Sequence, residues 1–305
     1  MIKFFCPQSP VIHRDDTKIQ QKQTCFSYST SLTPTSCGDD EGPGNLKPER
    51  CAPRLQHKIF NDHFQNYKTH SIPKAQLLIA DIPYNVGKNA YGSNPVWYID
   101  GDNKNGESKL ANSEFFDTDK DFRISEYLHF CSKMLIKEPK ETGRAGAMVL
   151  FCSFEQQFEL ITKAKEYGFK NYINLVFIKN SSAQVLKANM RICGNCEYGL
   201  VLYRDKLPKF RNNGKMVFNS FPWEKDNKSP KIHPTQKPMK VLQKLINTFT
   251  DPGDVVIDPV AGSGSTIIAA LRCGRSGYGF EIKKNFCSEA NTWLEKEKAQ
   301  GGLFI

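Results

Sequence analysis

The chain has 305 residues, of which 39% are hydrophobic, enough for one large domain or for a core domain with a smaller insertion. Lys and Arg number 42 against 32 Asp and Glu, a formal charge of +10, which favours a polyanionic partner but on its own fits a solvated lysine-rich surface equally well. No apolar run approaches the roughly 18 residues that a membrane span needs. The opening Met1-Ile2-Lys3-Phe4-Phe5-Cys6 is too short for a signal-peptide core, so no membrane partner and a cytoplasmic location are expected. Ten cysteines lack the density of a disulfide scaffold. Cys193 and Cys196 form one CxxC pair, but zinc would need a second, and Cys6, Cys25, Cys37 and Cys51 are irregularly spaced, so no metal site is expected.

Residues 1–54 are rich in Ser, Thr, Pro, Gln and charge and lack both period-2 and period-3.6 apolar patterning, so they read as a disordered or loosely ordered extension. From Leu55 onward, short apolar runs alternate with helical patterns, which predicts an α/β domain over 55–305 with a mostly parallel sheet. Strands are expected at 58–61, 76–81, 147–152, 172–178, 198–203, 255–258 and 278–281, several apolar on both faces as buried strands are. Helices are expected at 122–136, 154–167, 239–249, 266–273 and 285–296; in the first, Tyr127, Cys131, Met134 and Leu135 form a core stripe. Two stretches, 85–120 and 180–195, carry no regular pattern, and irregular segments beside a rigid sheet are where binding function tends to sit.

The run Ala75-Gln-Leu-Leu-Ile-Ala80 followed by Asp81-Ile-Pro-Tyr84 reads as a buried strand that delivers a carboxylate, a proline and an aromatic ring to the sheet's carboxyl end. Those groups suit one chemistry. The exocyclic amine of adenine or cytosine is a poor nucleophile because its lone pair is delocalised into the ring, and accepting hydrogen bonds from both amine protons restores it. Asp81 accepts one such bond and the main-chain carbonyl of Ile82 the other, next to Pro83, which fixes the turn, while Tyr84 stacks on a base extruded from the duplex. Taken alone, the tetrapeptide is equally a strand-terminating Asp-x-Pro turn. Attack on cytosine C5 would need a Pro-Cys thiolate here; Cys6-Pro7 has the reverse order and lies in the extension.

The segment Asp254-Val-Val-Ile-Asp258-Pro-Val-Ala261-Gly262-Ser263-Gly264-Ser265-Thr266 reads as strand, tight glycine turn and helix, an arrangement that cradles a nucleoside cofactor. A second strand ends in Glu281, 19 residues beyond Gly262, about the spacing at which an acidic side chain accepts both ribose hydroxyls. A phosphate loop would need a Lys after Gly264, where Ser265 stands, and a nicotinamide site would want a third glycine where Ile267 stands. A cofactor without phosphates fits better, and S-adenosylmethionine is that cofactor.

With Asp81-Ile-Pro-Tyr84 and Asp258-Pro-Val-Ala-Gly262-Ser-Gly264 in this order, the chain resembles the amino-group DNA methyltransferases, adenine-N6 and cytosine-N4, in their permuted β group. The resemblance implies a Rossmann-like, doubly wound, seven-stranded and mostly parallel sheet with one antiparallel strand and an inserted target-recognition region. It implies that His233, Thr235 and Lys237 of His233-Pro-Thr-Gln-Lys237-Pro line the methionine end of S-adenosylmethionine, and that Asp62 binds the cofactor's adenine amine. Glu281 matches the ribose acid, and Asp258, Ala261, Gly262, Ser263, Gly264, Ser265 and Thr266 form the cofactor loop. Ile82 departs from the family's usual first proline, though its carbonyl is retained.

The resemblance implies double-stranded DNA with a flipped target base as partner, and a homodimer is a candidate assembly. Asp81 in place of the Ser frequent in cytosine-N4 enzymes favours adenine N6. Target recognition is expected at 180–230, where Lys187, Arg191, Lys206, Lys209, Arg211, Lys215, Lys225 and Lys228 alternate with Phe210, Phe218, Phe221 and Trp223; an ordinary surface subdomain is the alternative. Rival readings are cytosine-N4 methylation, a catalytically inactive DNA-binding relative, and a protein-glutamine or RNA methyltransferase, the glutamine enzymes usually having Asn where Asp81 stands.

Overall fold

The apolar runs between 57 and 281 assemble side by side into one sheet. The computed structural model describes residues 55–84, 122–180, 184–187, 192–224, 226–233 and 235–301. The expected extension at 1–54 and the expected irregular stretch at 85–120 lie outside the described residues.

In chain order the strands are β1 (His57–Phe60), β2 (Leu77–Asp81), β3 (Ala147–Cys152), β4 (Asn171–Lys179), β5 (Gln184–Lys187), β6 (Ile192–Gly194), β7 (Cys196–Tyr203), β8 (Ser220–Trp223), β9 (Val255–Asp258) and β10 (Ser276–Phe280). The helices are α1 (Ile124–Met134), α2 (Gln156–Glu166), α3 (Met239–Phe249), α4 (Ser265–Arg272) and α5 (Lys284–Gly301), with a 3-10 helix at Phe64–His70. Eight strands form the main sheet in the order β1-β10-β9-β2-β3-β7-β4-β8, and β5 pairs with β6 in a separate hairpin. Within the sheet only β7 runs antiparallel to its neighbours, β3 and β4.

The sheet therefore has one strand more than the seven expected. The addition is β8, where Pro222 interrupts the strand pattern; a proline cannot donate to a ladder on both sides, and β8 sits at the sheet's edge with β4 as its one neighbour. The β5–β6 hairpin and the 3-10 helix were also absent from the expected elements, each being too short to establish an apolar period.

Period-two alternation divides the sheet's side chains between two cores. Leu77, Ile79, Ala147, Val149, Phe151, Val201 and Val256 pack with α3, α4 and α5, whereas Leu78, Ala80, Met148, Leu150, Leu200 and Ile257 pack with α1 and α2. The amphipathic stripe expected on α1 is confirmed, with Tyr127, Cys131, Met134 and Leu135 buried. Each fully buried aliphatic side chain of these layers contributes about 2 kcal/mol relative to exposure. Among the described residues, no helix is long and apolar enough to cross a membrane.

Gly264 fixes how closely α4 approaches the sheet. Its φ is +74°, and a Cβ there would lie 2.6 Å from Cδ1 of Ile59 and 3.0 Å from Cβ of Ala290. Gly143 has a similar φ of +77° but open space around it. Gly264→Ala is therefore expected to cost about 2–4 kcal/mol, combining left-handed strain with overpacking, and Gly143→Ala only about 1 kcal/mol. Urea unfolding of both variants measures the difference; equal losses would show that the contacts at Gly264 are unimportant.

Candidate active site

The chain runs outward from β2 through β3 and β4 in one direction, and from β9 through β10 in the other, so the strand order reverses between β2 and β9. The two are parallel neighbours, with Leu77 beside Val256 and Leu78 beside Ile257, and their carboxyl ends open on the same edge. Such a switch point leaves a crevice between diverging connections, where open α/β sheets bind ligands. Asp81 ends β2, Asp258 ends β9, and Glu281 follows β10 on that edge. The tetrapeptide from Asp81 and the glycine turn after Asp258 thus open on one crevice.

Asp81 lies in a cluster of buried charge. Its Oδ2 accepts from the ammonium of Lys237, whose side chain is only 6% exposed. Lys237 Nζ also lies 3.6 Å from Oε2 of Glu197, which is itself paired with Lys179. The Tyr84 hydroxyl donates to Glu197 Oε2 at 3.4 Å. Around the ammonium stand the rings of Phe151, Tyr84 and Trp223, at 5.2, 5.6 and 5.7 Å. Asp81 Oδ1 is buried and has no hydrogen-bond partner among the described residues.

Burial lifts the Asp81 carboxyl above the usual carboxylate range, and Lys237 opposes that lift. Burial also works against the Lys237 ammonium, but Asp81 and Glu197 outweigh it and hold its pKa above the ordinary lysine value. Burial likewise pushes Glu197 up, and its two lysines bring it below its ordinary value. Ile82 is buried where the expected family pattern has a proline, and its amide donates to the carbonyl of Phe151 at 3.3 Å. The side chain of Gln156 donates to the carbonyl of Pro83 at 2.7 Å, and Gln156 is held by a reciprocal pair of bonds with Ser153 at the start of α2.

The glycine turn is tied to the neighbouring strand. Gly262 has a φ of +52°, and its amide donates to Oε2 of Glu281 at 2.8 Å, while the amide of Lys283 donates to Oε1 at 2.7 Å. Burial raises the Glu281 carboxyl, and the amides of Lys283 and Gly262 oppose it. Ala261 donates to the carbonyl of Phe280 at 2.8 Å. Asp258 is pushed up to about 7 by burial, against a hydrogen bond from Thr266. Ser263, Ser265 and Thr266 are themselves buried, so this part of the loop serves the packing of α4.

The His233 ring lies 3.5 Å from where a Cβ on Gly262 would stand, and 4.9 Å from the Phe286 ring. Burial, with Lys237 and Lys283 nearby, lowers its pKa to about 4, so the imidazole is neutral at physiological pH. Thr235 meets Nδ1 of His233 through its hydroxyl at 3.0 Å. Of the three residues expected at the methionine end of the cofactor, His233 and Thr235 lie beside the glycine turn, whereas Lys237 lies on Asp81.

Asp62 lies just beyond β1, two strands from the glycine turn. Oδ1 accepts from the His63 amide at 2.7 Å and from Asn66 at 2.6 Å, and Oδ2 faces His70 at 2.8 Å. Asn66 first, then His70, lowers its pKa. The neighbouring Asn61 donates to the carbonyl of Glu281 at 2.9 Å, which fixes β1 against β10 on the crevice edge.

The region 180–230 divides between two edges of the sheet. β5 and β6 follow the carboxyl end of β4, on the edge of the crevice, but β7 then crosses antiparallel, so 204–219 runs along the opposite edge. There Lys209 pairs with Asp251 at 3.0 Å and Asp254 at 2.7 Å, Arg211 pairs with Asp251, and Lys206 donates to the carbonyl of Lys140. These basic residues are committed to the fold far from the crevice, which corrects their expected place at a target-recognition surface. Glu197, Lys179, Trp223 and Gln156 were not expected in the site. Glu197 carried a signal, a carboxylate in period with inward-facing Val201 of an otherwise apolar strand.

Comparison with known proteins agrees with this geometry. YubD of Escherichia coli (strain K12) is 34% identical over 139 residues, 46% of this chain and 57% of that protein, so the match spans little more than half of YubD. The DNA adenine methyltransferase YhdJ of the same strain is 25% identical over 258 residues, 79% of this chain and 83% of YhdJ. The fold is similar to that of the PvuII DNA methyltransferase (cytosine-N4-specific), with a TM-score of 0.57 at 14% identity, covering 80% of this chain and 91% of that one. The family model for N6 and N4 DNA methylases matches residues 75–292, most of the chain, including Asp81-Ile-Pro-Tyr84, the segment from His233 to Lys237, the glycine turn and Glu281 but not Asp62. The chain belongs to that family of S-adenosylmethionine-dependent DNA methyltransferases.

Proposed function

We propose that the chain methylates N6 of adenine in double-stranded DNA, taking the target base out of the stack into the crevice between β2 and β9. The observation that carries this reading is Asp81 Oδ1, a buried acceptor with no hydrogen-bond partner among the described residues, in a carboxylate that the Tyr84 hydroxyl stands close enough to stabilise. An unpaired acceptor in a dry site costs about 1–3 kcal/mol, a cost that a donor arriving with the substrate removes. The amine hydrogen of a flipped base is such a donor. The carbonyl of Pro83 accepts from Gln156, and we assign the second amine hydrogen to the carbonyl of Ile82.

S-adenosylmethionine supplies an electrophilic methyl on a sulfonium that leaves without acid catalysis. The chain's part is to hold the parts in line. The turn at Gly262 presents a surface without a Cβ, and the Glu281 oxygens, each accepting one amide, retain lone pairs for ribose hydroxyls. We assign the adenosine end to Glu281 and Asp62 and the methionine end to His233 and Thr235. Asp81 and the Ile82 carbonyl would hold the target amine in line with the methyl that the cofactor would supply, its thioether being the leaving group, and Asp81 or water would take the proton that the amine gives up. Target contacts are assigned to 180–195 and 224–235, the segments that follow β4 and β8, whose carboxyl ends lie on the crevice edge; the second includes Lys228 and Lys231.

Cytosine N4 would use the same acceptors. Asp at position 81 and the likeness to YhdJ along most of both chains favour adenine. Digestion of methylated DNA to nucleosides and mass measurement should yield N6-methyl-2′-deoxyadenosine alone; N4-methyl-2′-deoxycytidine would replace this reading with the other. Asp81→Ala should lower methyl transfer by at least about 1,000-fold while leaving cofactor binding intact. Glu281→Ala should weaken cofactor binding by roughly 10- to 100-fold, the loss of charge-assisted hydrogen bonds. Calorimetric titration with the cofactor separates the two variants, and undiminished transfer by Asp81→Ala would remove the proposed chemistry.

A further inference from the structure

Two carboxylates from different strands share one buried ammonium, and the reaction uses only one of them. Glu197 stands opposite Phe177 in the β4–β7 register, with its Oε2 3.6 Å from Lys237 Nζ and 3.4 Å from the Tyr84 hydroxyl. Lys179, at the end of β4, holds it from the other side. The side chains of Glu197 and Lys179 are each 18% exposed, so the four charges of Asp81, Glu197, Lys179 and Lys237 balance in a largely dry place.

We propose that Glu197 is a positioning residue of the methyl-transfer site, acting through Lys237 and Tyr84 to keep the ammonium on Oδ2 of Asp81 and Oδ1 open for the target amine. This rests on Asp81 being the amine acceptor. An ammonium attracted by Asp81 alone would settle between both carboxylate oxygens and close the acceptor. The second carboxylate, anchored by Lys179, offsets that pull and draws the ammonium to one side. The same oxygen of Glu197 restrains the Tyr84 hydroxyl, and so the ring on which the base would rest. Removing one member leaves an uncompensated buried charge, and the arrangement of the others changes with it.

A cluster that merely stapled β2, β4, β7 and the segment before α3 together would affect stability alone. Positioning by charge affects the titration of the site. The groups facing Asp81 are Lys237 ahead of α3, Glu197 on β7, Tyr84 beyond β2, Cys152 on β3 and Asp258 on β9; Lys179 on β4 faces Glu197, and His233 faces Lys237. Burial first, and the charge of Glu197 in addition, raise the Asp81 carboxyl. Loss of that negative charge lowers it, and loss of the Lys179 cation raises it.

Methyl transfer to DNA is measured over a wide pH range for the wild-type chain, Glu197→Gln, Glu197→Asp and Lys179→Met. Glu197→Gln is expected to lower kcat roughly 10- to 100-fold with the cofactor KM unchanged, and to move the acid limb of kcat to lower pH. Glu197→Asp should recover part of kcat. Lys179→Met should move the acid limb the opposite way, to higher pH. An acid limb that stays fixed in both charge variants, or moves in the same direction in both, overturns the proposal and assigns Glu197 to the fold alone. If circular dichroism shows that Glu197→Gln does not fold, Lys179→Met decides, an upward shift supporting the proposal and a fixed limb overturning it. Full transfer by Asp81→Ala would instead overturn the reading of Asp81 on which the proposal stands, whatever Glu197 does.

Discussion

The parallel pairing of β2 with β9 is the constraint from which the site follows. Leu77 and Leu78 lie beside Val256 and Ile257, so the strand carrying Asp81 and the strand carrying the glycine turn open side by side on one edge. Among the described strands, the chain continues from β2 to β3 on one side and from β9 to β10 on the other. From β1 to β2 the edge spans three interstrand steps, roughly 14 Å at about 4.8 Å each. Asp62, Glu281, the Gly262 turn and Asp81 are set along it in that order.

Electrostatics then determines what each carboxylate can do. Glu281, buried, receives two backbone amides, and the more exposed Asp62 is ringed by His63, Asn66 and His70, so both are oriented acceptors. Asp258 is buried against Thr266 and held near neutrality, which suits a structural corner beneath the loop. Asp81 has a buried oxygen without a hydrogen-bond partner among the described residues, and it shares the buried ammonium of Lys237 with Glu197. A buried ion pair gains little net stability once desolvation is counted, so this cluster is better understood through the site it shapes than through the stability it adds.

Much of this was legible along the chain. The strands at 76–81, 147–152 and 255–258 showed themselves as apolar runs with an abrupt polar end, and the tetrapeptide and glycine turn sat where those runs stopped. The hexapeptide from His233 to Pro238 was visible too, but the separation of its residues was not: His233 turns to Gly262 while Lys237 turns to Asp81. The basic and aromatic residues of 204–219 misled because proximity along the chain was read as a shared surface. An antiparallel strand, β7, carries them to the far edge, where acidic partners at 251 and 254 neutralise several of them. β8 was hidden by the proline that marks it as an edge strand.

Local sequence determined the alternation of strands and helices, the chemistry of Asp81-Ile-Pro-Tyr84, and the cofactor turn with its acid, because each depends on residues within a few positions of one another and on hydrophobic period. Tertiary structure alone decided that Lys179, Glu197, Lys237 and Asp81 meet. They come from β4, β7, the segment before α3, and β2, separated by as many as 156 positions. Nothing in the spacing of such residues encodes a contact; they converge because β2 and β4 end where the antiparallel β7 begins, period two turns the three strand side chains to the same face, and the segment before α3 brings Lys237 between them.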